Sequence, residues 1–225
     1  MDAIRTKAAV LFPHGSMANS PTQPLVDSTG GKFGPFAGQL FVGEMNKGRI
    51  MRVALERVRG GLQGMCIPFY DGAGLKRGNN RMVFGPDHSL WIGHSNHGWA
   101  GERGLQKLRW NKKVPFELKS MSLTRKGFDL NFTHSLEAKG ASNASNYVFR
   151  RYFYSYHRGY GSPQREVESV SVVAARLTDD TTVSIELENL KPERVYELSL
   201  GPAVNSREGA KVVNSKVFYN AIHLR

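Results

Sequence analysis

The chain has 225 residues, a formal net charge of +12 and one cysteine, and 40% of its residues are hydrophobic, which predicts a packed core. The lone Cys66 excludes an intrachain disulfide framework, a four-cysteine zinc site and a c-type haem attachment motif. The basic residues are scattered rather than interleaved with stacking aromatics, so we expect no nucleic-acid binding, and no apolar run is long enough to predict a membrane span.

The chain opens with short elements. Residues 8–12 are apolar and predict a first strand, and Pro24–Val26 predicts another brief strand after a proline-containing loop. Charged residues precede the first apolar run, which is too short for the core of a signal peptide. If the intact protein is exported, we expect its signal to lie outside these residues.

Two stretches share one pattern. Phe33–Gly43 and Phe84–Gly93 both open with Phe-Gly-Pro, continue into a Leu-aromatic-β-branched run and close on glycine. A second apolar strand follows each copy, at Arg49–Leu55 and at Leu105–Trp110. A repeat of this length is typical of successive β-propeller blades, which are four-stranded units of about 40–50 residues. The alternative is two unrelated hairpins that look alike.

The repeat also bears on the neighbouring elements. Arg49–Val58 has helix propensity, but its place after a blade strand favours a strand, a hairpin turn at Arg59-Gly60-Gly61 and a returning strand over Leu62–Phe69. Two blades do not close a propeller, which needs about four. The pattern therefore indicates that the chain is the end of a larger protein.

Beyond Lys112 the pattern changes, and we place a domain boundary between residues 112 and 113. Seven period-2 runs follow: Glu117–Leu123, Phe128–Phe132, Tyr147–Tyr156, Ser169–Leu177, Thr182–Leu187, Val195–Leu200 and Lys216–His223. Seven short strands in about 110 residues predict an Ig-like or fibronectin-like β-sandwich. Leu190–Tyr196 predicts a corner that delivers a tyrosine into a strand.

Several of these stretches carry a family resemblance. Thr29–Gly43, Arg81–Asp87, Gly98-Trp99 and Tyr152–Pro163 together resemble the C-terminal part of large secreted bacterial proteins. Those proteins carry a propeller similar to the glucose/sorbosone dehydrogenases, followed by an Ig-like domain, and are often fused to cytochrome c.

The resemblance implies an all-β chain with about two propeller blades in residues 1–112 and an Ig-like sandwich in residues 113–225. It implies a secreted or periplasmic protein whose partners are upstream blades and a cytochrome c electron acceptor. It further implies pyrroloquinoline quinone and calcium in the intact protein. On its own, we expect the chain to be inactive.

The resemblance also directs attention to the loop after the second repeat, at residues 94–103. Sugar oxidation needs a base that takes the hydroxyl proton and a cation that holds the reduced quinone. His94 or His97 would supply the base and Arg103 the cation. No third ligand accompanies the two histidines, so no metal site is predicted among them.

Three further residues are cofactor-binding candidates. Trp99 would stack on a flat cofactor or a sugar ring, and Asn96 lies in the same loop. Arg49 follows the first blade strand, near the place corresponding to His94. The alternative is structural: His94 and Asn96 bond the loop backbone, and Trp99 fills the blade junction.

The rival class of function is a non-catalytic scaffold that binds carbohydrate or protein. Tyr152, Tyr154 and Tyr156 alternate and would share one strand face, as in a carbohydrate platform. The alternative, which we favour, is that one face of this strand is sandwich core and the other is a domain interface. A bound quinone would support the enzyme, and sugar contacts without cofactor would support the scaffold.

Overall fold

The computed structural model of the chain describes residues 6–72, 74–96, 98, 101–159 and 161–225. Strands dominate this part of the chain and form three sheets, none of which closes on itself. The all-β prediction is therefore confirmed.

The first seven strands are β1 (Pro21–Val26), β2 (Leu40–Glu44), β3 (Arg49–Val58), β4 (Gly61–Asp71), β5 (Asn79–Phe84), β6 (Leu90–His94) and β7 (Gly104–Leu108). The next eight are β8 (Leu118–Leu123), β9 (Gly127–Phe132), β10 (Tyr147–Tyr154), β11 (Gln164–Val170), β12 (Val172–Asp179), β13 (Thr182–Leu187), β14 (Arg194–Leu200) and β15 (Lys216–Ala221). Between β9 and β10 lie a one-turn helix, α1 (Ala138–Ala141), and a 3₁₀ helix (Ala144–Asn146).

The chain divides into two compact units. The N-terminal unit consists of Phe12–Ala54 and Cys66–Pro115. The C-terminal unit consists of the residues through Leu11, the hairpin tip Leu55–Met65, and Phe116–Arg225. At that tip Arg59 and Gly60 both have positive φ, at 48° and 82°, which suits a two-residue hairpin turn. The turn expected at Arg59-Gly60-Gly61 therefore forms, with Gly61 as the first residue of β4.

The two copies of the repeat in the N-terminal unit have the same strand register. In each, the aromatic residue of the first strand lies opposite a basic residue, and the closing glycine lies opposite a branched aliphatic residue. The pairs are Phe41 with Arg52 and Gly43 with Ile50 in the first copy, and Trp91 with Lys107 and Gly93 with Leu105 in the second. The sequence similarity therefore extends to residue-by-residue structural equivalence.

Strands β1–β4 form the first half of an eight-stranded sheet, and we call this half the sheet β1–β4. It packs against the sheet β5–β7, since β1 and β2 both contact β5. The buried cluster between them consists of Phe33, Phe36, Phe41, Ile50, Leu75, Met82, Leu90 and Ile92. The phenylalanines that open the two repeats, Phe33 and Phe84, meet edge to face with ring centroids 5.2 Å apart. Such aromatic pairs stabilise a core beyond the area that they bury.

The two sheets approach each other closely at Gly43. A Cβ atom there would lie 2.5 Å from Thr22 Oγ1 and 2.7 Å from the Asn79 carbonyl oxygen. Thr22 Oγ1 donates a hydrogen bond to that same carbonyl at 2.6 Å. Only glycine allows the strands to cross at this distance.

The C-terminal unit contains the four-stranded sheet β12-β13-β9-β8 and the strands β15-β14-β10-β11, which continue the eight-stranded sheet after β4. Phe128 of β9 lies against the rings of Phe149, Tyr196 and Tyr219 of the other sheet, with centroids 5.9, 5.4 and 4.9 Å away. The Tyr196 hydroxyl accepts a hydrogen bond from Lys191 N at 2.7 Å and donates one to Lys191 O at 2.9 Å. The tyrosine corner expected at Leu190–Tyr196 therefore forms.

Two strand predictions are wrong. Residues 8–12 form no strand, and the Ala8 carbonyl accepts instead from Asn220 Nδ2 at 2.7 Å. The run Ser169–Leu177 is divided at Ser171 into β11 and β12, which belong to different sheets. Alternation in sequence continues across such a corner, so periodicity alone does not reveal that the chain changes sheets.

Candidate functional site

The candidate residues of the N-terminal unit lie at one end of its two sheets, where β2 ends at Glu44 and β6 ends at His94. His94 is the register partner of Asn79. Asn79 Nδ2 donates to the Arg49 carbonyl at 2.8 Å, which links the two sheets at this end. Arg103 directly precedes Gly104, the register partner of His94 on β7. The topology therefore brings Arg49, His94 and Arg103 to the same end of the unit.

Glu44 is fully buried and holds the loop before β1. Its Oε1 accepts hydrogen bonds from the backbone N–H groups of Asn19 and Ser20, both at 2.9 Å, and its Oε2 accepts from Lys47 N. Three such bonds to one carboxylate are charge-assisted and satisfy both oxygens. Glu44 thus fixes the loop to β2 rather than facing a ligand.

Arg49 has a structural set of contacts. Its Nη1 donates to the carbonyls of Ser16 and Met17, both at 2.7 Å, and its Nη2 pairs with Asp71 Oδ2 at 2.5 Å. The side chain is 12% exposed. Because these bonds tie the loop before β1 to the end of β4, the predicted cofactor-binding role would require Arg49 to give up contacts that hold the fold.

His94 is buried, with 7% of its surface exposed. Its Nδ1 lies 3.2 Å from the Arg77 carbonyl, and because a carbonyl only accepts, Nδ1 carries the proton. Burial lowers the pKa of the imidazole below its usual value, so the ring is neutral at pH 7. Its buried Nε2 makes no hydrogen bond by geometric criteria within the described residues, and the Gln106 side chain interacts with the imidazole. His94 therefore has the electronic form of a general base, without solvent access.

The remaining candidates lie in the loop that follows. Asn96 Oδ1 accepts from Gly98 N at 2.7 Å, so this side chain shapes its own turn. Arg103 is exposed, and its carbonyl accepts from Lys76 Nζ at 3.1 Å. His97 and Trp99 lie outside the described residues.

Two glycines anchor this loop. A Cβ atom on Gly78 would lie 2.3 Å from the Ser95 carbonyl oxygen, and a Cβ atom on Gly101 would lie 2.1 Å from the same oxygen. Both glycines also have positive φ, at 82° and 97°. Glu102 Oε2 accepts from Arg77 N at 2.9 Å. The loop therefore rests tightly on the residues that precede β5.

The carboxylates at this end do not fit a calcium site. Both oxygens of Glu44 accept backbone N–H groups, and Asp71 is paired with Arg49. Within the described ranges, no group of three or more His, Cys, Asp or Glu side chains could hold a metal ion. Calcium takes six to eight oxygen ligands. Calcium and quinone binding therefore stay predictions about the intact protein.

The outer face of the sheet β5–β7 differs from the equivalent face of the first sheet. Phe41 and Ile50, on the face that meets the second sheet, are 1% and 0% exposed. Leu105, the equivalent of Ile50, is 64% exposed, and Val83 beside Trp91 is 60% exposed. We call the surface formed by Val83, Trp91, Gly93, Leu105 and Lys107 the open face.

The closing glycine of the second repeat shows the same contrast. A Cβ at Gly93 would meet only the Arg81 carbonyl, at 3.8 Å, whereas one at Gly43 would clash with the next sheet. The open face therefore has the glycine that a close sheet-to-sheet approach needs, but no sheet lies against it in the described structure. Sequence reasoning missed this face, although the register of the repeat could have identified it.

A groove of about 420 Å³ lies in the C-terminal unit at the end of β10. Phe153, Tyr154 and Tyr156 contribute aromatic surface to it, and Tyr156 is 78% exposed. The Arg194 guanidinium lies 4.7 Å from the Phe153 ring centroid and pairs with Glu166 at 2.6 Å. Aromatic faces beside fixed charged groups suit recognition of a polar ring.

The hypothesis of a tyrosine platform, which the sequence favoured less than a core face, is wrong for Tyr152. Tyr152 is fully buried, and its ring meets that of Tyr154 at 5.5 Å. Burial raises the pKa of its hydroxyl well above the usual range. Tyr152 therefore belongs to the core, and the groove is formed by the residues after it.

No helix in the described ranges is long and apolar enough to cross a membrane. Comparisons with protein-family models, with curated proteins and with solved structures found no match to this chain. Its function is therefore argued from its own residues.

Proposed function

We propose that the sheets β1–β4 and β5–β7 are two successive blades of a larger β-propeller. The chain would then be the C-terminal part of a secreted, sugar-dehydrogenase-like protein, with an Ig-like domain as its second unit. The observation that supports this proposal is the open face, whose residues repeat a sheet-packing surface although Val83 and Leu105 on it are exposed.

In a propeller, each blade uses the same face to meet the next blade. The first sheet uses the face that carries Phe41, Gly43, Ile50 and Arg52 to meet the second. The second sheet has an aromatic residue, glycine, an aliphatic residue and a basic residue in the same register on its open face. We infer that a further sheet covers this face in the intact protein.

The proposed Ig-like character of the C-terminal unit has separate support. Two sheets share a core centred on Phe128, and Tyr196 forms a corner with Lys191. Both features are usual in Ig-like sandwiches, whose sheets pack face to face.

For the intact protein we propose quinone-dependent oxidation of a sugar, with cytochrome c as electron acceptor. His97 or His94 would be the general base and Arg103 the cation near the reduced cofactor. His94 has a neutral ring, the electronic form of a base, although the residue is buried, whereas Arg49 and Asn96 are held by structural contacts. The chain alone would be inactive.

The test compares the 225-residue chain with a longer version that carries the preceding coding sequence. Each is mixed with calcium and pyrroloquinoline quinone, followed by absorbance and by dye-coupled oxidation of a sugar panel. We expect quinone binding and turnover in the longer version, and loss of turnover in His97→Ala and Arg103→Ala. Arg125→Gln, an exposed change in the C-terminal unit, is the control. Failure of the folded longer version to bind quinone would contradict the enzyme proposal.

A second candidate function is carbohydrate binding without redox chemistry, and the groove at the end of β10 favours it. Its test is titration of the chain with neutral oligosaccharides, followed by NMR chemical shifts. We expect Tyr156→Ala to weaken binding about tenfold or more and Tyr156→Phe to retain it, because the ring face carries the stacking. Binding as tight as that of the wild type in both variants would exclude the groove as the site.

A further inference from the structure

A second cavity lies in the N-terminal unit, at the end of the sheets that carries the Phe-Gly-Pro turns. It has a volume of about 510 Å³. We call it the basic pocket, and it is lined by Lys32, His88, Arg109, Trp110 and Lys112, together with Gly31, Asp87 and Ser89. Neither the blade assignment nor the groove at β10 accounts for it.

The charge of the basic pocket is unbalanced. Lys32, Arg109 and Lys112 line it, and within the described ranges none of the three forms an ion pair. Asp87, the acidic residue that lines the pocket, already has hydrogen-bond partners. Its Oδ2 lies 2.6 Å from Lys107 Nζ, and its Oδ1 accepts from Ser89 Oγ at 2.5 Å. The three cations therefore lack a protein counter-charge.

Local structure fixes the walls of the basic pocket. Thr29 N and Oγ1 both donate to Asp27 Oδ1, at 2.9 and 2.6 Å, which holds the turn that leads to Lys32. On the other side, His88 and Lys112 have positive φ, at 60° and 65°. Non-glycine residues rarely adopt this conformation, and such backbone is often found at binding sites.

Trp110 gives the basic pocket an apolar wall. It is half-buried and packs partly against the core between the two sheets. Its Nε1 donates to the Lys113 carbonyl at 3.2 Å, which fixes the orientation of the ring. A fixed indole beside unpaired cations can hold a ring and its acidic substituent at once.

We propose that the basic pocket binds an acidic saccharide, through the carboxylate or sulfate of one sugar residue. Lys32, Arg109 and Lys112 pair with the anionic group, and the Trp110 ring lies against the sugar. A saccharide is favoured over nucleic acid because single-strand binding needs a basic groove with several stacking aromatics, and this pocket has one. The net charge of +12 draws acidic polymers to the protein and speeds the encounter.

The test uses the whole chain and follows tryptophan fluorescence during titration. Four probes of similar length are compared: a uronic-acid oligosaccharide, a sulfated oligosaccharide, a neutral oligosaccharide and single-stranded DNA. We expect saturable binding of at least one acidic oligosaccharide and at least tenfold weaker binding of the neutral one. The first two probes distinguish carboxylate from sulfate as the recognised group.

The matched variants remove two charges each. We expect Arg109→Gln/Lys112→Gln to weaken acidic-saccharide binding about tenfold or more, because hydrogen bonds to charged groups are lost. Arg125→Gln/Lys139→Gln removes two exposed cations from the C-terminal unit and should leave binding within about twofold. Near-UV circular dichroism checks that both remain folded.

Two results would overturn the proposal. Equal weakening by the two double variants would show attraction to the overall charge rather than binding in the pocket. DNA binding at least as tight as that of both acidic oligosaccharides would assign the pocket to nucleic acid. Neither result depends on quinone binding or on further blades, so this proposal and the propeller proposal fail independently.

Discussion

The two sheets of the N-terminal unit have the same sequence pattern and the same register, but they differ in what covers them. Ile50 is fully buried between the sheets, while its equivalent Leu105 is 64% exposed. A Cβ atom at Gly43 would clash with the second sheet, while a Cβ atom at its equivalent Gly93 would have room. The comparison teaches that the repeat determines each local surface, and that the neighbouring sheet determines whether the surface becomes core.

The turns of the two copies show a second difference. In the first copy, Arg52 of β3 lies 3.9 Å from the Phe36 ring centroid, as a cation–π contact. In the second copy, Lys107 of β7 pairs with Asp87 at 2.6 Å. A basic residue at the same register position thus holds each turn, once through an aromatic ring and once through a carboxylate.

The largest expected effect compares Ile50→Ala with Leu105→Ala. We expect Ile50→Ala to lower the free energy of unfolding by about 2–5 kcal/mol, because it leaves a cavity in the core. Leu105→Ala should change it by about 0.5 kcal/mol or less, because that side chain is exposed. Urea unfolding is followed by tryptophan fluorescence, since Trp91 and Trp110 belong to the N-terminal unit. Similar losses of unfolding free energy in both variants would contradict the difference in burial between Ile50 and Leu105.

The next effect compares Gly43→Ala with Gly93→Ala. The Cβ of Gly43→Ala meets the Asn79 carbonyl at 2.7 Å, and a backbone atom cannot move aside without shifting β5. We expect a loss of about 1–3 kcal/mol in the same unfolding measurement. Gly93→Ala should be neutral within about 0.5 kcal/mol. A neutral Gly43→Ala would mean that the sheets are not packed this closely.

The smallest effect is a difference in pH dependence between the two turns. Hydrogen bonds from Lys107 and Ser89 hold the pKa of the Asp87 carboxyl well below its usual range. The carboxyl of the unfolded chain has a pKa of about 3.9, so the stabilisation is fully present above that pH and is lost progressively as the pH falls from there through the lower pKa of the folded state. The difference between the urea midpoints of the wild type and Asp87→Asn should therefore be larger at pH 6 than at pH 2.5.

Phe36→Leu is the control for this pH dependence, because the contact of Arg52 with Phe36 includes no titrating acid. Its difference from the wild type should not depend on pH. An Asp87→Asn difference that stays constant from pH 6 to pH 2.5 would show that the ion pair with Lys107 contributes nothing.

The sequence predicts the strands of this fold well where alternation and turn residues agree. The Phe-Gly-Pro repeats, the Arg59-Gly60 turn and the Tyr196 corner all form as expected. The strand expected at residues 8–12 does not form, because an apolar run shows hydrophobicity but not whether a neighbouring strand exists to pair with it.

The candidate site was less predictable than the fold. The sequence brings Arg49, His94 and Arg103 to one end of the unit, but it does not show that Arg49 is held by Ser16, Met17 and Asp71. The basic pocket was missed because Lys32 and Arg109 are far apart in the chain and meet only in the fold.

The most direct measurement of the central claim is the rate of thiol labelling at the open face. Leu105→Cys introduces a reporter against a silent background, because Cys66 is fully buried and burial raises the pKa of its thiol. Val173→Cys, at a site 60% exposed in the C-terminal unit, serves as the control. The 225-residue chain should label rapidly at both positions.

In the longer version, we predict that a further sheet covers the open face. Labelling of Leu105→Cys should then slow by at least tenfold, while labelling of Val173→Cys stays fast. Equally rapid labelling of Leu105→Cys in both versions would contradict the assignment of these two sheets as blades of a larger propeller.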